Sequence, residues 1–278
     1  MNLSSGCMQI TAHAPTVLVV ETLRASLDSE RIYSALKNSY WRVSVVDVTG
    51  STHTDLVAQI RNGNSKHGDV LVSEFQSAGR GRLERSFIAP ARSALLFSFH
   101  IKPHRPVDTW GWLPLLAGQA LITTISKLCT LSTTATLKWP NDILINEKKV
   151  AGLLSEKVSD EAVVIGIGIN VGMTKEELPT PLATSLSIEG CSQCDRSDFL
   201  SLYLKTFSEY LKRWEAGEAS LINEYAELSS TIGRAISITA PDGKTRQAHA
   251  TGIDQSGALI IDGAELITVG DVAHLRSN

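Results

Sequence analysis

Three short apolar runs, 136–139, 143–145 and 150–157, follow one another with only turn residues between them. That spacing predicts consecutive strands, with Asn146-Glu147 as a hairpin turn. The same span carries Lys138-Trp139-Pro140-Asn141-Asp142 and then Lys148-Lys149-Val150-Ala151-Gly152. Two lysine-bearing segments, an aromatic, an amide and a carboxylate so close together suit a buried site that handles anionic phosphate. A second cationic element, Gly79-Arg80-Gly81-Arg82, stands upstream. Together they point to activation of a carboxylate by a nucleotide.

The upstream element lies in a stretch, 76–90, rich in Gly, Ser and Arg and without apolar periodicity. It reads as a long loop, and long loops in compact domains tend to be functional. Its glycines let backbone N–H groups approach a ligand, and its arginines offer planar forks to carboxylate or phosphate. Taken alone, it reads more readily as a solvated basic loop, and it is no Walker A loop. In the 138–142 stretch, the residue before proline is biased to extended geometry, so Trp139 is expected to wall a pocket. Asp142 is suited to a magnesium ion; a plain turn after a strand is the competing reading. Lys149 borders an apolar run, where a half-buried ammonium needs an anion. One charge pair at about 4 Å is worth roughly 4 kcal/mol at an intermediate dielectric. Lys148, on the opposite face of the strand, fits a solvated role. Gly166-Ile167-Gly168-Ile169-Asn170 lacks the GxGxxG spacing, so its glycines read as sites of close backbone approach, with Asn170 reaching a nucleotide.

The remaining pattern is α+β. Asp28 or Ser29 caps a helix through Leu36. Residues 43–48 read as a buried strand, 54–60 as a helix, and 69–75 and 95–101 as strands. Trp112–Leu128 is an apolar helix with Pro114 in its first turn. Ala162–Asn170 is a further strand. Leu200, Leu204, Phe207, Leu211 and Trp214 recur at helical spacing, so 197–214 is an amphipathic helix whose stripe is core. A second helix covers 221–228. After Gly233 the pattern changes to short strands broken by Pro241-Asp242-Gly243, Ser256-Gly257 and Asp262-Gly263, which predicts a small barrel or SH3-like module. The expected division is 1–26 as a poorly patterned segment, 27–230 as the main domain and 231–278 as the β module.

Bulk properties narrow the partners. The 278 residues carry a net charge of −3, with 43% hydrophobic and 20% charged residues, ordinary for a soluble enzyme. No nucleic-acid partner is expected from such a balance. The apolar stretch 16–20 is far short of the roughly 20 residues that span a bilayer, so no membrane partner is expected either. Four cysteines, Cys7, Cys129, Cys191 and Cys194, form no secreted disulfide pattern, and a reducing cytoplasm is the expected compartment. Cys191 and Cys194 are half a zinc site at most, and read as incidental thiols. The seven histidines form no HExxH, and GxSxG is absent.

Five motifs, Gly50-Ser51-Thr52, Glu74 through Arg82, Lys138 through Asp142, Lys149 through Gly152 and Gly166 through Asn170, occur in the order and spacing of biotin–protein ligases. The chain resembles that family from about Leu27 to Arg276. The resemblance implies a class II synthetase-like biotin/lipoate ligase catalytic fold, a mixed sheet flanked by helices, followed by a small SH3-like barrel. It implies a two-step reaction. Biotin and ATP give biotinyl-5′-AMP and pyrophosphate with Mg²⁺, and a lysine of a biotin carboxyl carrier domain then takes the biotin. It further implies Lys149 and Arg82 as catalytic residues. Biotin would be held by Ser51, Thr52, His53, Gln76, Arg80, Gly81, Arg82, Trp139, Lys149, Gly152 and Gly166. ATP would be held by Arg82, Arg85, Phe87, Lys138, Asn141, Asp142, Lys149, Gly168 and Asn170, with Asp142 also serving the metal. A homodimer stays open.

The chain departs from the family pattern at three places. His53 stands where Asn is usual, Phe87 where Trp is usual, and Glu84 brings a negative charge beside the phosphates. About 40 residues precede the catalytic region and show no helix-turn-helix pattern, so a ligase without repressor function is favoured. The rival readings are a lipoate–protein ligase, a biotin-responsive DNA-binding regulator and a weak adenylate-binding sensor. Biotin-dependent pyrophosphate exchange, a gel shift and the activity of Lys149→Ala discriminate them.

Overall fold

The computed structural model describes residues 24–275 apart from 83–84, 192–193, 241–242 and 269. The segment 1–23, Cys7 and Glu84 therefore lie outside the described residues. Seven strands form one mixed sheet: β1 (Arg42–Thr49), β2 (Asp69–Gln76), β3 (Ala94–Ile101), β4 (Thr136–Lys138), β5 (Asp142–Ile145), β6 (Lys148–Ser159) and β7 (Ala162–Asn170). Their spatial order is β1-β2-β3-β7-β6-β5-β4. β1 and β2 run parallel, and every other neighbouring pair is antiparallel. The helices are α1 (Ser29–Leu36), α2 (Thr52–Arg61), α3 (Trp112–Leu128), α4 (Arg196–Glu215) and α5 (Ser220–Leu228). Asp28 caps α1 by accepting from Arg31 N–H at 2.9 Å, which satisfies one orphan donor of the first turn. At Asn146-Glu147 both residues have positive φ, 50° and 60°, the backbone of a tight antiparallel hairpin.

The two faces of the sheet differ in kind. Ile143, Ile145, Ala151, Leu153, Ile167 and Ile169 point to one face, where α3 and α4 close a continuous core with Phe97, Phe99, Tyr203 and Phe207. The opposite face is covered at one end by α2, through Leu56 and Val57 against Val164. Further along it, Gly152 pairs with Gly168 and Leu154 with Gly166, so three glycines leave a shallow floor there.

β1 corrects an expectation. The valine-rich run reads as buried, yet none of its eight residues is buried, because β1 is the outermost strand and has β2 as its single neighbour. The cysteine reading changes too. Cys129, which ends α3, and Cys191 form a disulfide across 62 residues. Cys191 is therefore no incidental thiol, since the fold brings α3 to the loop before α4.

The chain ends in a five-stranded antiparallel sheet, β8 (Ala235–Thr239), β9 (Thr245–Ile253), β10 (Leu259–Ile261), β11 (Glu265–Ile267) and β12 (Asp271–His274), in the order β11-β10-β9-β8-β12. This is the SH3-like module expected from the turn spacing. Gly257 sits at φ +88°, where its α-carbon lies against the start of α3 at Gly111. No helix among the described residues is long and apolar enough to cross a membrane.

His53, His67, His100 and His274 are all held below the ordinary histidine range, in each case chiefly by burial. His274 is pushed down to about 4, by burial first and then by Lys138 and Arg234. These side chains stay neutral in the folded chain and take up protons on unfolding. Stability from this source is therefore full above about pH 6.5 and is lost as pH falls toward the folded values. His274, pushed furthest from the ordinary value, contributes strongly to that loss. A urea midpoint clearly lower at about pH 5 than at about pH 7.5 is expected, with a flatter profile for His274→Gln. Equal midpoints at the two pH values would contradict the assignment.

Candidate active site

Two clefts meet on the glycine face. The narrower, of about 130 Å³, is lined by the start of α2, residues 80–82 and 85–87, and the glycines of β6 and β7. The wider, of about 1130 Å³, runs from β5 and β6 to the 179–183 segment and the C-terminal sheet. Four residues line both: Ser86, Phe87, Asp142 and Lys149.

Lys149 reaches that junction through a β-bulge. In the β5–β6 pairing Leu144 faces Lys149 but Ile143 faces Ala151, so Val150 is the extra residue. Val150 and Ala151 both turn into the core, fully buried. The bulge reverses the strand's alternation, since residues 149 and 152 would otherwise point to opposite faces. Lys149 instead lies over Gly152: a β-carbon on Gly152 would be 3.0 Å from the lysine Nζ. Lys149 Nζ pairs with Asp142 Oδ1 at 2.6 Å. Backbone bonds to the neighbouring segment, Lys149 N–H to Leu182 O at 2.8 Å and Thr184 N–H to Lys149 O at 2.9 Å, fix its main chain. Lys148 lines neither cleft.

The closed end of the narrow cleft is polar. Ser51 caps α2, accepting from Thr54 N–H at 3.4 Å. Thr52 N–H donates to Gln76 Oε1 at 2.7 Å, and the Thr52 hydroxyl meets that of Ser98 at 2.9 Å. His53 is buried, with Nε2 at 3.2 Å from Glu156 Oε2, while Nδ1 has no partner. A β-carbon on Gly166 would stand 2.9 Å from that Nδ1. Burial lowers the His53 pKa, with Glu156 acting against it, so the ring is neutral near pH 7.

Residues 79–82 and 85–87 fold over this end. Phe87 N–H donates to Gly79 O at 2.9 Å and Gly81 N–H to Arg85 O at 2.6 Å. Arg82 donates to Asn141 Oδ1 and to Gly270 O, each at 3.1 Å, which ties the loop to both sheets. Burial lowers the Arg82 pKa, and Asp271 and Asp142 oppose the shift. Arg85 pairs with Asp271. Phe87 lies flat over Gly168, where a β-carbon would come within 2.8 Å of its ring.

Most of the residues singled out from the sequence converge here. Ser51, Thr52, His53, Gln76, Arg80, Gly81, Arg82, Arg85, Phe87, Asn141, Asp142, Lys149, Gly152, Gly166 and Gly168 line the narrow cleft. Lys138 and Asn170 line the wide one. Trp139 does not join them. Its side chain is 2% exposed, its indole N–H points to Gly257 O at 3.3 Å, and it fills the seam between the start of α3 and the β9–β10 turn. It packs between the start of α3 and the C-terminal sheet and lines neither of the two clefts. Two amides also have structural duties. Asn141 donates to Leu153 O and Asn170 to Thr184 O, both at 2.9 Å.

Ser98 and Asp271 also line the cleft, Glu156 stands behind His53, and none of the three was singled out from the sequence. Ser98 is a lone hydroxyl in an otherwise apolar strand, and Glu156 follows Gly152 at strand period, so both carried a signal. Asp271 carried none.

A magnesium ion fits the junction only as a guest of the phosphates. Asp142 is the one carboxylate there beside Lys149, and no cluster of three or more His, Cys, Asp or Glu side chains forms at this place among the described residues. That donor set matches Mg²⁺, which is held by one or two carboxylates plus phosphate and water.

Comparison with known proteins agrees with this geometry. Residues 45–173 match the biotin/lipoate A/B protein ligase family, and residues 231–275 the biotin protein ligase C terminal domain. The biotin–[acetyl-CoA-carboxylase] ligase of Mycobacterium tuberculosis is 38% identical over 264 residues, 92% of this chain and 98% of the relative. The bifunctional ligase/repressor BirA of Bacillus subtilis is 32% identical over 227 residues, 78% of this chain and 68% of the relative. Among solved structures, the biotin protein ligase from Aquifex aeolicus in complex with biotin and ATP superposes with a TM-score of 0.71 at 26% identity, covering 85% of this chain and 99% of that one. With its mixed sheet, glycine-floored cleft and C-terminal β module, the chain belongs to the biotin protein ligase family.

Proposed function

We propose that the chain activates biotin with ATP to biotinyl-5′-AMP and transfers the biotin to a lysine of a biotin carboxyl carrier domain. The observation that carries this is the junction. Lys149 and Asp142 stand where a closed cleft of suitable polarity opens into one wide enough for a nucleotide and an approaching peptide. In this reading residues 27–230 form the catalytic unit and 231–278 the C-terminal unit.

Ser51, Thr52, His53 and Gln76 hold the ureido end of biotin, above the floor of Gly152 and Gly166. Arg80, Gly81 and Arg82 keep the loop over it. The biotin carboxylate then lies at Lys149, whose ammonium bridges it to the α-phosphate and offsets the charge that develops on the phosphoryl oxygens. Phe87 and Arg85 face the nucleotide from one side, and Lys138 and Asn170 from the other. Asn141 acts by holding Arg82. Bound Mg²⁺ supplies charge neutralisation on the phosphates, with Asp142 as its protein contact. Catalysis is positioning and electrostatic stabilisation, with no covalent enzyme intermediate. The acceptor lysine enters through the wide cleft and attacks the mixed anhydride, releasing AMP.

The test is ATP- and Mg²⁺-dependent transfer of biotin to a purified carrier domain. Pyrophosphate exchange that runs with lipoate and not with biotin would overturn the reading in favour of a lipoate ligase. A cytoplasmic setting goes with this chemistry, and no nucleic acid enters it. The free edge of β1, with Val48 exposed, is where a second copy would pair in a homodimer.

A further inference from the structure

Away from both clefts, three sulfurs converge where the end of α3 meets the segment leading into α4. Cys129 and Cys191 are buried and bonded to each other. Cys194 brings a half-buried free thiol to them, and the three sulfur atoms lie within 4.8 Å of one another. Among the described residues this is the single cluster of three or more potential metal ligands. A disulfide needs two cysteines and leaves the third unexplained.

Three sulfurs held by two separate elements make a donor set for a thiophilic cation. Tetrahedral thiolate coordination at about 2.3 Å places sulfurs about 3.8 Å apart, which this cluster reaches by small side-chain shifts once the bond is open. Sulfur-only donors select Zn²⁺ over Mg²⁺ or Ca²⁺. We propose that Cys129, Cys191 and Cys194 form a redox-gated metal site: a disulfide plus a thiol when oxidised, and a three-thiolate Zn²⁺ site when reduced, with water as the fourth ligand. Opening the bond takes two electrons and two protons from a dithiol, which becomes its own disulfide. Binding Zn²⁺ then releases the three thiol protons. Asp195 and Asp198 stand beside Cys194. Burial and then their negative charge push its thiol up to about 11, and a divalent cation reverses that balance. In either state the cluster staples α3 to the segment that reaches Asn170, through Cys191 N–H to Leu186 O at 2.8 Å and Leu186 N–H to Asn170 O at 2.9 Å.

The full chain, reduced with a phosphine and freed of oxygen, is titrated with Zn²⁺ against a chromophoric chelator. Cd²⁺ reports thiolate coordination through its ultraviolet charge-transfer band. One tight equivalent is expected in the reduced chain and none after oxidation with diamide. Cys194→Ser, which leaves the disulfide pair intact, is expected to lose it, and so is Cys129→Ser. The proposal is overturned if the reduced chain takes up no more Zn²⁺ than the oxidised chain, or if Cys194→Ser retains the equivalent. Neither result depends on biotin transfer, so this site and the ligase reading stand or fall separately.

Discussion

Lys149→Ala is expected to lower the rate of adenylate formation by about 10²–10³-fold, the usual cost of removing one preorganised charge partner from a phosphoryl-type transition state. The side chain is 41% exposed and its pair with Asp142 adds little to stability, so the fold is expected to stand. Single-turnover adenylation, measured with biotin and ATP saturating, separates this loss from one of binding. Lys149→Arg should recover part of the rate, because the charge returns with the wrong shape. Lys148→Ala, at a residue outside both clefts, should be close to neutral. A Lys149→Ala enzyme with wild-type turnover would remove this residue from the mechanism.

The second large effect is expected at Gly79. A β-carbon there would lie 2.3 Å from the carbonyl oxygen of Phe87 and 2.9 Å from Gln76 Nε2. The first of these is backbone and cannot swing aside. The loop must open, which breaks the Phe87 N–H to Gly79 O bond that closes it and displaces the glutamine that receives Thr52 N–H. Gly79→Ala should therefore weaken biotin binding by about 100-fold, or ~2.7 kcal/mol, with little change in thermal stability, since the loop lies outside the core. Isothermal titration with biotin measures it directly. Unchanged affinity would mean that the loop does not shape the pocket.

How far the sequence could be read follows from which facts are local. The α3 helix, the hairpin at Asn146-Glu147 and the strand β7 depend on neighbours a few residues away, and all were legible. The motifs of the junction were legible as chemistry, because lysine, carboxylate and glycine are unusual together beside apolar strands. Whether a strand is central or outermost is a property of the whole sheet, so the valines of β1 gave the wrong answer. The direction of Trp139 was decided by Gly257, 118 residues further on, and no local pattern reports that. The Cys129–Cys191 bond likewise depends on how α3 is laid against the loop before α4. Asp271 reaches Arg85 from the other sheet, across 186 residues.

The bulge at Val150 has a consequence of its own. It lets β6 carry one residue more than its partner without turning the Lys149 ammonium to the other face. Exchanging Val150 for another apolar residue leaves the count intact and Lys149 above Gly152. Deleting it would restore the regular pleat with Lys149 two places from Gly152 and still on its face, so the deletion removes a buried valine side chain and leaves the aim of the lysine unchanged. In this segment the chain tolerates a change in its own length, because the bulged strand and the strand one residue shorter both set Lys149 over Gly152.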